Sequence, residues 1–136
     1  MGRLRTLAAN ADFRFVLAVW ALSRLFFLVV GALGHAYLTE ASPGGSPREP
    51  GGILNYWAHW DGGWYTTIAQ NGYFDSASTS FFPLYPIAIW LGTHLGGGAA
   101  IWGVAISVAA LLPTLWFLYQ LTERLFDRRA ARAAAL

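Results

Sequence analysis

The chain has 136 residues, of which 56% are hydrophobic and only 12% are charged. Because soluble domains carry about 25% charged residues, this composition excludes an ordinary soluble domain and predicts an all-α integral membrane protein. A formal net charge of +2, with most arginines at the two ends, argues against a nucleic-acid-binding protein. The absence of cysteine excludes disulfides, thiol catalysis and zinc–cysteine sites.

The first apolar run covers residues 13–38 and predicts a transmembrane helix, which needs about 20 mostly apolar residues. Residues 1–12 form a short N-terminus before it, and Arg3, Arg5 and Arg14 lie close to the start of the run. The apolar region of a cleaved signal peptide is only about 7–15 residues long. The longer run therefore favours a helix that stays in the membrane.

A segment rich in Pro, Gly and Ser follows, from Thr39 to Gly52, and predicts a flexible linker. After it, apolar residues recur at spacings of three and four over residues 55–71, which predicts an amphipathic helix. They are Trp57, Trp60, Trp64 and Ile68. Tryptophan favours the membrane–water interface, so this helix is expected to lie along the membrane surface. Gly62-Gly63 indicates that the helix starts, or breaks, just after Asp61.

Charge distribution sets the predicted topology. A second transmembrane helix is predicted over residues 99–121, followed by a basic tail over 122–136. Arginines flank both predicted spans, whereas the segment 39–98 between them contains only Arg48. The positive-inside rule then places both termini in the cytoplasm and 39–98 outside, which requires an even number of crossings. The apolar piece 82–96 is accordingly predicted to be a short helix on the outer face.

Asp61 is the residue in the outer segment best suited to chemistry, and two roles are open to it. It can cap the helix that follows by accepting bonds from free backbone N–H groups. It can also act as a general base or metal ligand among indole rings, taking a proton from a hydroxyl, and the two roles can coexist. No histidine pair has the spacing of a helical metal site, so no histidine metal site is predicted. A divalent metal stays possible at Asp61, with Asp75 as the other carboxylate in reach.

Arg24 lies in the middle of the first predicted span, where an arginine costs at least about 2.5 kcal/mol. It should therefore face other protein groups, together with Trp20, Leu28, Gly31 and His35 on the same helical face. One role is a structural ion pair with Asp61 or with an acid outside this chain. The other is binding of a lipid phosphate, which arginine geometry suits but which requires a cavity at that depth.

Aromatic residues and prolines form a stiff segment after the amphipathic helix. They are Tyr73, Phe81, Phe82, Pro83, Tyr85 and Pro86. Aromatic side chains of this kind either bind sugar rings or anchor helices at the membrane interface.

The combination of "SRLFFLVVG", "WAHWDGGWYTTIAQNGYF" and "FFPLYP" resembles the N-terminal portion of PIG-V-type mannosyltransferases and their bacterial relatives, within the GT-C group. The resemblance covers residues 13–129. It implies transfer of mannose from a polyprenyl-phosphate donor to a hydroxyl, with inversion, on the extracytoplasmic face. It also implies that the essential acid of the first outer loop is Asp61. The substrate-binding candidates are Trp60, Arg24, Tyr65, Tyr73, Phe82 and Tyr85.

Enzymes of this group are several times longer, so the chain is expected to be an N-terminal fragment that needs the remaining helices for activity. The absence of lysine among nine basic residues suggests a GC-rich genome and a bacterial plasma membrane. Two other interpretations remain: a small two-span anchor or accessory protein, in which Arg24 pairs with an acid of its partner, and one piece of a transporter.

Overall fold

The computed structural model describes residues 2–38, Trp57 and residues 60–136, with the side chains of the first helix described from Ala11 to Gly34. The predicted linker, His59 and the side chain of His35 lie outside this description. Within it, every element longer than a turn is an α-helix. The helices are α1 (Gly2–Leu38), α2 (Asp61–Asn71), α3 (Leu84–Thr93), α4 (Ala99–Leu125) and α5 (Arg128–Ala135), with a 3₁₀ turn at Ser78–Ser80.

Two of these helices are long and apolar enough to cross a membrane: Ala11–Gly34 within α1, and α4. Only 11% and 6% of their most apolar stretches are buried inside the protein, whereas the core helix of a soluble protein would be mostly buried. The fold is therefore that of an all-α membrane protein. Both helices extend beyond the predicted apolar limits, because Ala, Arg and Leu continue a helix readily after the lipid-facing stretch ends.

The two helices between the spans are shorter than predicted. Helix α2 begins at Asp61 rather than near residue 55, and α3 covers Leu84–Thr93 rather than 82–96. Ten residues of α-helix measure about 15 Å, half of the roughly 30 Å hydrocarbon core. Helix α3 is thus too short to cross a membrane, and its position along the outer face stays a prediction.

The chain divides into two compact units, one of residues 1–28 with 108–136 and the other of residues 29–107. In the first unit, Val16 of α1 and Tyr119 of α4 are fully buried. They belong to one hydrophobic cluster with Ala131 and Ala135 of α5. The indole Nε1 of Trp20 donates a hydrogen bond of 2.8 Å to the carbonyl oxygen of Val108.

Helix α5 lies in the segment that the sequence analysis treated as a basic tail. Asp127 caps it, because its carboxylate accepts a 2.8 Å hydrogen bond from the N–H of Ala130. The buried carboxylate of Asp12 accepts a 2.8 Å hydrogen bond from Nε of Arg128 and lies 3.7 Å from a guanidinium nitrogen of Arg132. The hydrogen bond that Arg128 donates to Asp12 raises the pKa of the Arg128 guanidinium above its usual value. Arg128 therefore stays charged, and the pair is expected to persist through the physiological pH range.

In the second unit the core contains Ala69 of α2, Ile89 of α3 and Ala99 of α4. Helix α3 approaches α4 closely at Gly92, where an added Cβ would lie 2.3 Å from the indole of Trp102. The Nε1 of Trp102 in turn donates a 2.8 Å hydrogen bond to the carbonyl oxygen of Gly96. Gly96 has a φ of 101°, a backbone conformation that residues other than glycine rarely adopt. This conformation explains why a glycine occupies the turn.

Candidate functional site

The candidate site starts at a sharp backbone turn at Trp60, just before α2. Trp60 has φ 54° and ψ −127°, and is the one non-glycine residue with positive φ among those the structure describes. These angles match the second residue of a type II′ turn, a position that glycine normally occupies. A bulky residue there costs about 1–3 kcal/mol, and such residues concentrate at functional sites.

This turn removes Trp60 from the apolar face that the sequence predicts. Its side chain is 92% exposed, whereas Ile68, eight residues later, is buried. The prediction that Trp60 shares one helical face with Trp64 and Ile68 is therefore wrong, because the helix begins one residue after Trp60.

Asp61 is the first residue of α2, and its side chain is exposed. One N–H group of the first turn bonds to the backbone and not to the Asp61 side chain. The N–H of Gly63 donates a 3.0 Å hydrogen bond to the carbonyl oxygen of Trp60. No hydrogen bond reaches the Asp61 carboxylate from the residues that the structure describes, so the cap role is wrong. An acid at the first turn of a helix remains favoured by the helix dipole, and its oxygens are free to accept a proton.

Gly62 contributes a close backbone approach that the sequence analysis did not identify. An added Cβ at Gly62 would lie 2.8 Å from the carbonyl oxygen of Trp57. Only glycine fits without displacing this segment, so Gly62 allows the chain from Trp57 to pass beside the start of α2. The Gly-Gly pair was the sequence signal, and the partner became visible only in the fold.

Behind Trp60 and Asp61 lies a continuous aromatic cluster. Trp64 stacks on Phe74 and on Phe81, with ring centroids 5.7 and 5.4 Å apart. Tyr65 meets Phe81 and Tyr85 edge to face at 5.1 and 4.9 Å. Rings held in this way support neighbouring backbone segments, which is the anchoring role that aromatic residues can have.

Two of the predicted substrate-binding tyrosines have their hydroxyls occupied by protein groups. The hydroxyl of Tyr85 donates a 2.7 Å hydrogen bond to the Gly103 carbonyl oxygen and lies 2.7 Å from Ser107 Oγ. The hydroxyl of Tyr73 donates a 2.8 Å hydrogen bond to the carbonyl oxygen of Phe81. These contacts connect α3 to α4 and close the loop after α2. Phe82, by contrast, is 82% exposed and has a free ring surface.

A shallow groove of about 270 Å³ opens between the end of α2 and α3. No sequence pattern predicts this groove, because its walls come from two helices whose packing the sequence does not reveal. Its lining is mostly apolar, with an amide from Gln70 and aromatic rings from Tyr73 and Trp90. The lining residues are Ile68, Ala69, Gln70, Gly72, Tyr73, Pro83, Pro86, Ile87 and Trp90.

Asp75 has a structural role in the turn after α2. Its Oδ1 accepts a 2.6 Å hydrogen bond from the N–H of Ser78, and Ser78 Oγ donates to its carbonyl oxygen at 2.7 Å. Among the side chains that the structure describes, those of residues 11–34, 57 and 60–136, no three His, Asp or Glu are grouped as metal ligands. His94 meets the ring of Trp90 edge to face, and its Nδ1 lies 2.9 Å from the Trp90 carbonyl oxygen.

Arg24 belongs to the other unit of the fold. Its Nε is buried and has no hydrogen-bond partner, and its guanidinium lies 5.0 Å from the ring centroid of Phe27. A buried N–H without a partner costs about 1–3 kcal/mol. The prediction that Arg24 faces protein rather than lipid is consistent with this burial, whereas Leu28 on the same predicted face is exposed.

Comparison with known proteins finds a partial similarity to mannosyltransferases. It is 35% identical over 79 residues to GPI mannosyltransferase 2 of Drosophila pseudoobscura pseudoobscura, a match that covers 51% of this chain. It is 32% identical over 82 residues to GPI mannosyltransferase 2 of Drosophila melanogaster, again over 51% of this chain. Over about half of its length, this chain is related to mannosyltransferases. The match spans only 18% of each relative. No family model and no solved structure matches the chain.

Proposed function

We propose that this chain is the N-terminal part of a membrane mannosyltransferase of the PIG-V type, within the GT-C group. The complete enzyme would transfer mannose from a polyprenyl-phosphate donor to a hydroxyl of a lipid or glycan acceptor, on the extracytoplasmic face. Both termini of the chain would be cytoplasmic, in a bacterial plasma membrane. The partial similarity to two mannosyltransferases and the two membrane-spanning helices support this proposal.

The observation that carries the proposal is the exposed Asp61 carboxylate, which accepts no hydrogen bond from the described residues, beside the strained, exposed Trp60. As general base, Asp61 would take the proton of the acceptor hydroxyl while that oxygen bonds to C1 of mannose. The bond from C1 to the phosphate oxygen breaks in the same displacement, and polyprenyl phosphate leaves with the electron pair. A single displacement of this kind inverts the configuration at C1.

The rings of Trp60 and Phe82, 92% and 82% exposed, are available to a sugar or an isoprenoid chain. Aromatic faces contribute binding through apolar contact and stacking. Tyr65, Tyr73 and Tyr85 would act indirectly, because their rings and hydroxyls already hold the loop together. In this proposal they position Trp60 and Asp61 rather than touch the substrate.

The test is Asp61→Asn in the full-length enzyme, assayed by transfer of labelled mannose from polyprenyl-phosphate mannose in membranes. Loss of a general base lowers the rate by about 10²–10⁴-fold, and we expect a loss in this range with normal membrane insertion. Asp75→Asn is the matched control, since an amide oxygen can still accept the Ser78 N–H bond. Near-normal transfer by Asp61→Asn would refute the proposal.

The buried, unpaired Nε of Arg24 favours a second candidate function, that of a two-span accessory protein whose Arg24 pairs with an acid of a partner. In the enzyme, Arg24 would instead bind the anionic phosphate of the donor. Arg24→Leu separates the two candidates. Loss of association with a co-purified membrane partner, in a protein without transfer activity, supports the accessory role. Raised KM for the polyprenyl-phosphate donor supports the enzyme.

A further inference from the structure

Charge is divided sharply between the two units of the fold. The unit of residues 1–28 and 108–136 contains eight arginines against three acids, a net charge of +5, whereas the unit of residues 29–107 has a net charge of −3. The three acids of the basic unit are Asp12, Glu123 and Asp127. Two of them have structural partners, since Asp12 binds Arg128 and Asp127 caps α5. The positive charge near α5 is therefore only partly compensated.

Helix α5 is attached along one side and open on the other. Ala131 and Ala135 are buried in the cluster with Val16 and Tyr119. Arg129 and Ala133 are exposed. Arg128 and Arg132 keep 44% and 48% of their side chains exposed although both lie near Asp12. The helix consequently presents guanidinium groups outward from a fixed position.

Large apolar side chains are exposed next to these arginines. Leu125 at the end of α4 and Phe126 just after it are 66% and 75% exposed, and Leu136 after α5 is exposed as well. The adjacent Arg124 is also exposed. Exposed Phe and Leu beside arginine are the features of segments that lie in the lipid headgroup region, with the apolar groups inserted and the cations at the phosphates.

We propose that α5 and the residues 124–126 form a docking surface for the headgroups of anionic phospholipids. The occupant is the leaflet of the protein's own bilayer, because α4 enters the membrane at Leu125 and brings the surface to it. Guanidinium groups bind phosphate through paired N–H donors, and basic residues near an anionic leaflet are attracted to it. Asp12 attaches α5 through Arg128, and both Arg129 of α5 and Arg124 of α4 are exposed.

The test uses the full chain, which lacks cysteine, with the single substitution Ala133→Cys labelled by an environment-sensitive dye. The labelled protein is placed in nanodiscs of neutral phosphatidylcholine or of phosphatidylcholine with phosphatidylglycerol. We expect a blue shift of the dye emission, as the dye enters a less polar environment, that depends on phosphatidylglycerol and is lost in high salt. A dye at Ser80→Cys, in the other unit, should not respond to the anionic lipid.

The decisive variant is Arg124→Gln with Arg129→Gln, because neither arginine has an ion pair among the described residues. At about 1 kcal/mol per arginine, the ratio of docked to undocked label should fall about 30-fold. Circular dichroism should remain unchanged. Equal dye signals in neutral and anionic nanodiscs would overturn the proposal, as would an unchanged response in the double variant. Neither result would affect the mannosyl-transfer proposal, which rests on Asp61.

Discussion

The hydroxyl of Tyr85 in α3 donates a 2.7 Å hydrogen bond to the carbonyl oxygen of Gly103 in α4. This bond makes Tyr85 part of the framework under the candidate site. We expect Tyr85→Phe to lower the free energy of unfolding by about 1 kcal/mol, the usual net value of such a bond. The ring remains in contact with Tyr65, so mannosyl transfer should change by less than about threefold at a temperature where the variant is folded.

The control for Tyr85 is Ser107→Ala, which removes the other hydroxyl partner and leaves the bond to Gly103. Thermal unfolding in detergent should show a smaller loss of stability than for Tyr85→Phe. A large fall in transfer by Tyr85→Phe, with unfolding unchanged, would instead assign the phenol to the substrate.

Gly92 tests the close packing of α3 on α4. Replacing a helical glycine with alanine ordinarily stabilises a helix by about 1 kcal/mol. At Gly92 the new Cβ would lie 2.3 Å from the Trp102 indole, which is held by its hydrogen bond to Gly96. Overpacking typically costs about 1–3 kcal/mol, so we expect Gly92→Ala to be destabilising. Thermal unfolding in detergent measures whether Gly92→Ala lowers or raises the stability.

Removing the indole provides the control for Gly92. In a Trp102→Ala background the steric conflict is gone, and Gly92→Ala should then be neutral or stabilising. A double-mutant cycle isolates this coupling. Additive effects of the two substitutions would contradict close packing at this crossing.

Trp60 separates backbone strain from side-chain function. Trp60→Gly removes the conflict at φ 54°, whereas Trp60→Ala removes the indole and keeps a Cβ in the strained conformation. We expect the glycine variant to be more stable than the alanine variant by about 1 kcal/mol. Both should lose transfer activity, because both lack the exposed ring. Equal unfolding temperatures of the two variants would show that the strain is absent.

Asp12 tests the attachment of α5. Asp12→Asn removes the charge that binds Arg128, so α5 should open more often. Hydrogen bonds to charged groups contribute more than neutral ones, and we expect amide hydrogen exchange in α5 to accelerate about tenfold. Glu123→Gln is the control, since Glu123 is exposed and has no ion pair among the described residues. Unchanged exchange in α5 after Asp12→Asn would contradict the anchoring role.

For the candidate site, sequence reasoning identified Asp61, Trp60 and the aromatic residues but not their arrangement. It left the cap role of Asp61 open, because an acid next to Gly-Gly is also a common helix start. In the structure, the backbone angles of Trp60 place Asp61 inside the first turn of α2. The Asp61 carboxylate accepts no hydrogen bond from the N–H groups of that turn. The structure adds the contacts of Tyr65 with Phe81 and of Tyr85 with Gly103, and substrate binding by the two tyrosines stays a prediction.

The sequence by itself determined the class of the protein. Long apolar runs and the position of arginines are local properties, and burial in lipid acts on each run separately, so both spans were predictable from composition. Tertiary structure alone decided the pairing of Asp12 with Arg128, 116 residues apart, and the contact of Gly92 with Trp102. Such contacts depend on how separate helices pack, and the energy of any one of them is too small and too specific in geometry to leave a pattern in the sequence.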